Sequence, residues 1–215
     1  MSDGDAAAAA AAATRSRLSP GEFLALERRR PVLSKAYDLS CWSYSAVGVV
    51  LLRYRSRLPL GGRALPAVSG AAFGSMLCVQ GFFSYANDVI VMRDRSPPGP
   101  AGEIIAAHKP AVVWGDRILA TTNSICALGC AARWPAGPLA QRLLRNALVA
   151  SLLFFPASKA CEEGGRLDEY VCCHSGWHYA PTGLGILWIG LHARARPSGV
   201  PRAFRRVLSG SKMKL

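Results

Sequence analysis

The stretch Val171-Cys-Cys-His174-Ser-Gly-Trp177-His178-Tyr-Ala-Pro181-Thr-Gly-Leu-Gly185-Ile-Leu-Trp188-Ile-Gly-Leu191-His192 decides the fold. Its apolar portion, Tyr179 to Leu191, is long enough to enter a bilayer, and two imidazoles stand at its start. Histidines at i and i+4 share one helix face about 6 Å apart, the spacing that two ligands of one metal ion need. His174, His178, Pro181, Gly185, Trp188 and His192 continue that face at alternating spacings of four and three, so it should pack against other helices. His192 lies ~21 Å along the axis from His178, too far to join the pair, and is expected in the cytoplasmic headgroup region.

The composition around this stretch points the same way. The chain has 215 residues, is 51% hydrophobic and only 18% charged, with a mean hydropathy of +0.19. That is too apolar and too charge-poor for an ordinary soluble domain. A net charge of +13 would suggest nucleic acid in a soluble protein, but the basic residues fall mainly between apolar blocks and at the ends. They read as loop topology, and no nucleic-acid partner is expected. Cys41, Cys78, Cys126, Cys130, Cys161, Cys172 and Cys173 show no Cys-x-x-Cys spacing and read as small core residues.

The fold expected is all-α, a multi-pass transmembrane helical bundle over residues 37–192. Five spans are read: Tyr37 to Leu52, Ala67 to Met92, Ala111 to Ala131, Asn146 to Ala160 and Val171 to His192. The second, third and fifth reach the roughly 20 residues that a span needs, and the first and fourth are marginal. Residues 1–36, opening with Ser2-Asp3-Gly4-Asp5 and the alanine run Ala6 to Ala13, read as a disordered low-complexity tail without signal-peptide character. Residues 193–215 read as a basic tail.

Charge orients the bundle. The first loop holds Arg53, Arg55, Arg57 and Arg63 with no acid, the third Arg133, Arg142 and Arg145, and the C-terminal tail is basic, whereas the second loop is nearly balanced and the fourth acidic. By the positive-inside rule the C-terminus is cytoplasmic, in an endomembrane (endoplasmic reticulum or Golgi) or in the plasma membrane. At ~1.5 Å per residue, Asp88, Asp116, His174 and His178 then lie ~6, ~8, ~5 and ~11 Å below the outer edge. Ionisable residues inside a span are costly, and each is a functional-site candidate.

These groups offer a two-histidine, one-carboxylate metal set of His174, His178 and Asp88. Asp116 would serve as general base or orienter, and Ser84, at i−4 from Asp88 with Asn87 beside it, would hold water or an oxyanion. His108 could replace Asp88. The bland alternative pairs Asp116 with Arg117 or an interfacial group, bonds Asp88 to a neighbouring helix and leaves the histidines as interfacial anchors beside Trp177. A small-residue face at Gly70-Ala-Ala-Phe-Gly74-Ser75 should pack within the bundle.

His174-Ser-Gly-Trp177-His178-Tyr-Ala-Pro-Thr182-Gly183-Leu-Gly185, with Asp168 or Glu169 shortly before it, resembles the final helix of alkaline ceramidases, in the alkaline ceramidase and adiponectin-receptor-like superfamily of multi-pass membrane hydrolases. The resemblance implies that both histidines bind zinc, that a third ligand comes from a Ser-x-x-x-His motif on an earlier helix, and that a later aspartate positions the zinc-bound water. It also implies a long-chain lipid amide as substrate and seven spans rather than five. Ser84-Tyr-Ala-Asn-Asp88 keeps the serine of that motif but carries aspartate in place of the histidine. Asp116 is the candidate for the later aspartate, although a Pro/Gly-rich loop separates it from Ser84 where the family has one continuous helix. Two further readings stay open. One is a non-catalytic bundle that keeps the fold without a complete metal site, and the other is a transporter with Asp88 and Asp116 as a proton relay.

Overall fold

The computed structural model describes residues 18–57, 63–65, 68–95, 99–132 and 139–195. It is all-α apart from a short antiparallel pair, β1 (Arg63–Leu65) and β2 (Val68–Ser69).

The chain enters the fold earlier than expected. Helix α1 (Pro20–Arg29) opens with a capping box: the Ser19 N–H donates to the Glu22 carboxylate at 2.7 Å, while Ser19 Oγ accepts from the Glu22 N–H. Pro20 at the first helical position, with its fixed φ, suits that start. Phe23 and Leu26, one turn apart, are fully buried against Tyr37 and Tyr170, each contributing about 1.5–3 kcal/mol of burial. The expected disordered tail through residue 36 is therefore corrected over residues 18–36. Its alanine run lies outside the described residues.

Helix α2 (Pro31–Ser40) leads through Cys41, itself in helical conformation, into α3 (Trp42–Tyr54). A short 3-10 turn follows at Arg55–Arg57. Helix α4 (Gly70–Tyr85) lies against α3 along a line of small residues. A Cβ on Gly48 would stand 2.7 Å from the Gly74 carbonyl oxygen and from Cys78 Sγ, so only glycine allows this approach. The small-residue face at Gly74 thus packs within the bundle, as expected.

Beyond Tyr85 the helix widens into a π-helical segment, Ala86–Val91. The Met92 N–H donates to the Asn87 carbonyl and the Arg95 N–H to the Ile90 carbonyl, both at 2.9 Å and both five residues back. Such segments insert a residue into the α ladder and re-aim the side chains around it. Asp94, three residues past the segment, has φ +51°, in the left-handed region that aspartate tolerates.

After α5 (Pro100–Ala107), the long α6 (Lys109–Ala132) packs on α4 and on the π segment. Helices α7 (Leu139–Ser151) and α8 (Phe154–Glu163), parted by a turn at Leu152 and Leu153, divide what reads in sequence as one span. The last helix, α9 (Leu167–Ala195), contacts α2, α3, α7 and α8. Pro181 lies inside α9 and brings no N–H for the Trp177 carbonyl. Next to it, Thr182 and Ser43 hydroxyls both donate to the His178 carbonyl, at 2.6 and 3.0 Å, and tie this part of the helix down.

No helix among the described residues is long and apolar enough to cross a membrane by itself. The first and fourth expected spans are each divided between two helices, and α9 carries Asp168, Glu169, His174, Ser175, His178 and Thr182 along its length.

Two apolar clusters build the core. One joins Tyr44, Val47, Leu51, Phe73, Leu77, Trp188 and Ile189, and the other joins Phe23, Leu26, Tyr37, Cys161, Tyr170 and Val171. Along α9, His174 and His178 fall between the residues belonging to the two clusters, so the polar groups occupy a layer sandwiched by apolar packing.

Candidate metal centre

The π segment supplies the central group. Asp88 is 1% exposed, and its Oδ2 stands 3.0 Å from His174 Nε2, 3.8 Å from His178 Nε2 and 3.8 Å from Cys41 Sγ. Helix α9 brings both imidazoles to one carboxylate, as its i and i+4 spacing predicts, and the α2–α3 junction adds a thiol. Donor atoms of Cys41, Asp88 and His178 all lie within 4.8 Å of one another, and this buried group could hold a metal ion.

Hydrogen bonds fix what each imidazole presents. Ser40 Oγ donates to the Tyr37 carbonyl at 2.7 Å. Having spent its one proton there, it accepts from His178 Nδ1–H at 2.8 Å. The neutral ring therefore carries its proton on Nδ1 and turns the Nε2 lone pair toward Asp88. A lone pair facing a carboxylate oxygen across 3.8 Å is repulsive unless a cation lies between them. His174 is the opposite case. Its Nε2–H donates to Asp88 Oδ2 at 3.0 Å, and its buried Nδ1 has no hydrogen-bond partner among the described residues.

Aromatic rings hold both imidazoles in place. Tyr37 and Tyr170 lie against His174 with ring centroids 5.6 and 5.1 Å away, and Tyr44 lies edge-on to His178 at 5.0 Å. Behind Tyr37 stands the buried Arg93 guanidinium, over the Phe23 and Tyr37 rings at 5.2 and 5.1 Å and paired with Asp38 at 2.5 Å.

A second carboxylate adjoins the first. Asp116, from α6, accepts from Gln80 Nε2 at 2.6 Å and from Asn87 Nδ2 at 3.0 Å. Asn87 Nδ2 also donates to Asp88 Oδ1 at 3.1 Å, so one amide bridges the two acids. The buried Ser84 hydroxyl hydrogen-bonds Asp116 as well. All five residues expected at the site (Ser84, Asp88, Asp116, His174 and His178) thus meet across α4, the π segment, α6 and α9.

The alternatives fare differently. Asp116 pairs with amides and not with Arg117, whose guanidinium stands over Trp114 at 5.8 Å. His108 is exposed at the end of α5 and does not take the place of Asp88. Asp168 pairs with Arg29 and Arg30 at 3.6 and 3.4 Å instead of serving the site. The His192 side chain lies outside the described residues.

Sequence reasoning missed Cys41, Ser40 and Gln80. Cys41 reads as one more small residue in an apolar helix, and its contact with Asp88 spans 47 positions. The chain matches no family model, no curated protein and no solved structure.

Proposed function

We propose that this chain is an integral membrane protein that holds zinc at the buried centre built on Asp88 and His178, beside His174, and hydrolyses an amide bond of a long-chain membrane lipid. The observation that carries the reading is the buried donor group on Asp88, next to a second, amide-held carboxylate at Asp116. When bound, zinc would polarise a substrate carbonyl and lower the pKa of a water toward ~7.

The protein's own groups supply the rest. Asp116 takes the proton of the attacking water and returns it to the leaving amine. Gln80 and Asn87 hold its carboxylate in orientation, as their 2.6 and 3.0 Å contacts indicate. The Ser84 hydroxyl, its one proton directed at Asp116, accepts from the attacking water and positions it beside that base. Embedding in lipid is supported by the distribution of polarity. Phe82, Trp114, Ile118, Ile125 and Leu187 are exposed, while Asp88, His174, His178 and Gln80 are buried. A water-soluble bundle favours the reverse. The C-terminus is cytoplasmic on the charge pattern of the loops.

A non-catalytic bundle is the second reading, favoured by the His174–Asp88 hydrogen bond, which pairs His174 Nε2 with the carboxylate without an ion. Metal analysis of detergent-purified protein separates the two. Near-stoichiometric zinc that disappears in Asp88→Ala and His178→Ala supports the first, and its absence sinks it. With a long-chain N-acyl amide in mixed micelles, Asp116→Asn should keep the metal and lose about 10²–10⁴-fold in rate. Equal turnover by the variant would remove Asp116 from the mechanism.

A further inference from the structure

We infer that the third protein ligand of this metal centre is the thiolate of Cys41, with His174 outside the coordination sphere as a hydrogen-bond donor to Asp88. The inference rests on the reading of the site as a metal centre and assigns its donor set. Three observations lead to it.

The first is spacing. Ligand atoms at ~2.0–2.3 Å from a tetrahedral ion stand roughly 3.3–3.8 Å apart. Asp88 Oδ2 meets that separation with both His178 Nε2 and Cys41 Sγ, at 3.8 Å each. His174 Nε2 is at 3.0 Å from the same oxygen, a hydrogen-bond distance.

The second is the state of the donors. His178 Nε2 is a free lone pair because Ser40 accepts the proton on Nδ1. His174 Nε2 carries its proton and gives it to Asp88, so it cannot ligate through that atom. The arrangement is a ligating carboxylate steadied by an outer hydrogen bond.

The third is the thiol itself. Cys41 is fully buried, and its Sγ stands 3.8 Å from Asp88 Oδ2, the atom an ion would share, and 4.0 Å from the Tyr37 carbonyl oxygen. Binding replaces the thiol proton by the cation: Cys41–SH and M²⁺ give Cys41–S⁻–M²⁺ and one released proton, without any change of oxidation state. One thiolate, one imidazole and one carboxylate leave a fourth position open for water or substrate. Such a set favours zinc, cobalt or cadmium over magnesium or manganese, which prefer oxygen donors.

Cobalt(II) loaded into full-length, detergent-purified apoprotein tests this without relying on activity. One bound cobalt should give visible d–d bands of a four-coordinate site and an intense near-ultraviolet sulfur-to-cobalt charge-transfer band. The near-ultraviolet band should vanish in Cys41→Ser while the visible bands persist. It should survive in His174→Gln and in a Cys172→Ser/Cys173→Ser double variant, which keeps Cys41. Cobalt bound by the wild type without the near-ultraviolet band would overturn the thiolate assignment and leave the metal centre standing. A charge-transfer band lost in His174→Gln with cobalt still bound would overturn the outer role of His174. Failure of the wild type to bind cobalt, zinc or cadmium would remove the metal reading itself. Because the decisive spectrum is that of the unmodified protein, poor folding of Cys41→Ser leaves the test intact.

Discussion

Ser40 controls the site without touching the candidate ion. Its hydroxyl is committed to the Tyr37 carbonyl as donor and to His178 Nδ1 as acceptor, so it sets the tautomer of a buried ring. Ser40→Ala removes the acceptor and strands the Nδ1–H donor, at a cost of about 1–3 kcal/mol. It also frees the proton to move to Nε2, which destroys the ligating lone pair. Zinc affinity by chelator competition should fall about 10–100-fold, the range for losing such an outer partner. Affinity unchanged within twofold would refute the tautomer argument. At this scale the residues that were legible in sequence are those whose type alone is improbable in an apolar run. Asp88, Asp116, His174 and His178 stand out there, and helical rise sets them at one level. Ser40 and Cys41 are ordinary in such a run, and only contacts across 138 and 47 positions give them a role.

Among the elements, the π segment does most to compose the site, since the wider turn places Asp88 toward α9 while its neighbour Asn87 reaches Asp116 on α6. No sequence signal marks it, because Ala86-Asn-Asp-Val-Ile-Val91 satisfies an α pattern equally well. The α1 helix was legible in principle: Ser19-Pro-Gly-Glu22 followed by Phe23 and Leu26 is a capping box before an apolar pair. The long alanine run before it and Arg28-Arg29-Arg30 after it conceal that signal. Past the π segment, Lys109 at the start of α6 donates to Asp94 at 2.8 Å. That hydrogen bond, with the lysine charge, holds the Asp94 carboxyl below its ordinary range. A lowered folded pKa means the contact helps above the ordinary value of 3.8 and is lost as pH falls through the lowered one. Lys109→Ala should return the Asp94 carboxyl to the ordinary range in a carboxyl NMR titration in micelles. Raising salt to about 1 M, where the Debye length is roughly 3 Å, should do part of the same to the wild type. A carboxyl unmoved by the substitution would show that the lowering has another source.

At the scale of the molecule, packing and chemistry are joined through the α3–α4 crossing. The Cys41 end of α3 and the Asp88 end of the α4–π helix meet across a crossing where Gly48, Gly74 and Gly81 let the two axes approach. All-α architecture was legible from periodicity and composition, but how closely the helices approach depends on pairs of small residues remote in sequence. A Cβ at Gly48 would lie 2.7 Å from the Gly74 carbonyl oxygen, and that backbone atom cannot turn aside as a side chain could. Gly48→Ala must therefore push the helices apart, with overpacking of about 1–3 kcal/mol. The displacement separates Cys41 from Asp88, so the loss should show twice. Thermal stability in detergent should fall, and the further stabilisation that zinc gives the wild type should shrink or vanish, since ligand-linked stability follows RT ln(1 + [L]/Kd). Gly190→Ala on α9, where a Cβ meets nothing within 4 Å, is the control and should leave both quantities near wild type. If Gly48→Ala lowered the melting temperature but kept the full zinc increment, the site would be insulated from the crossing.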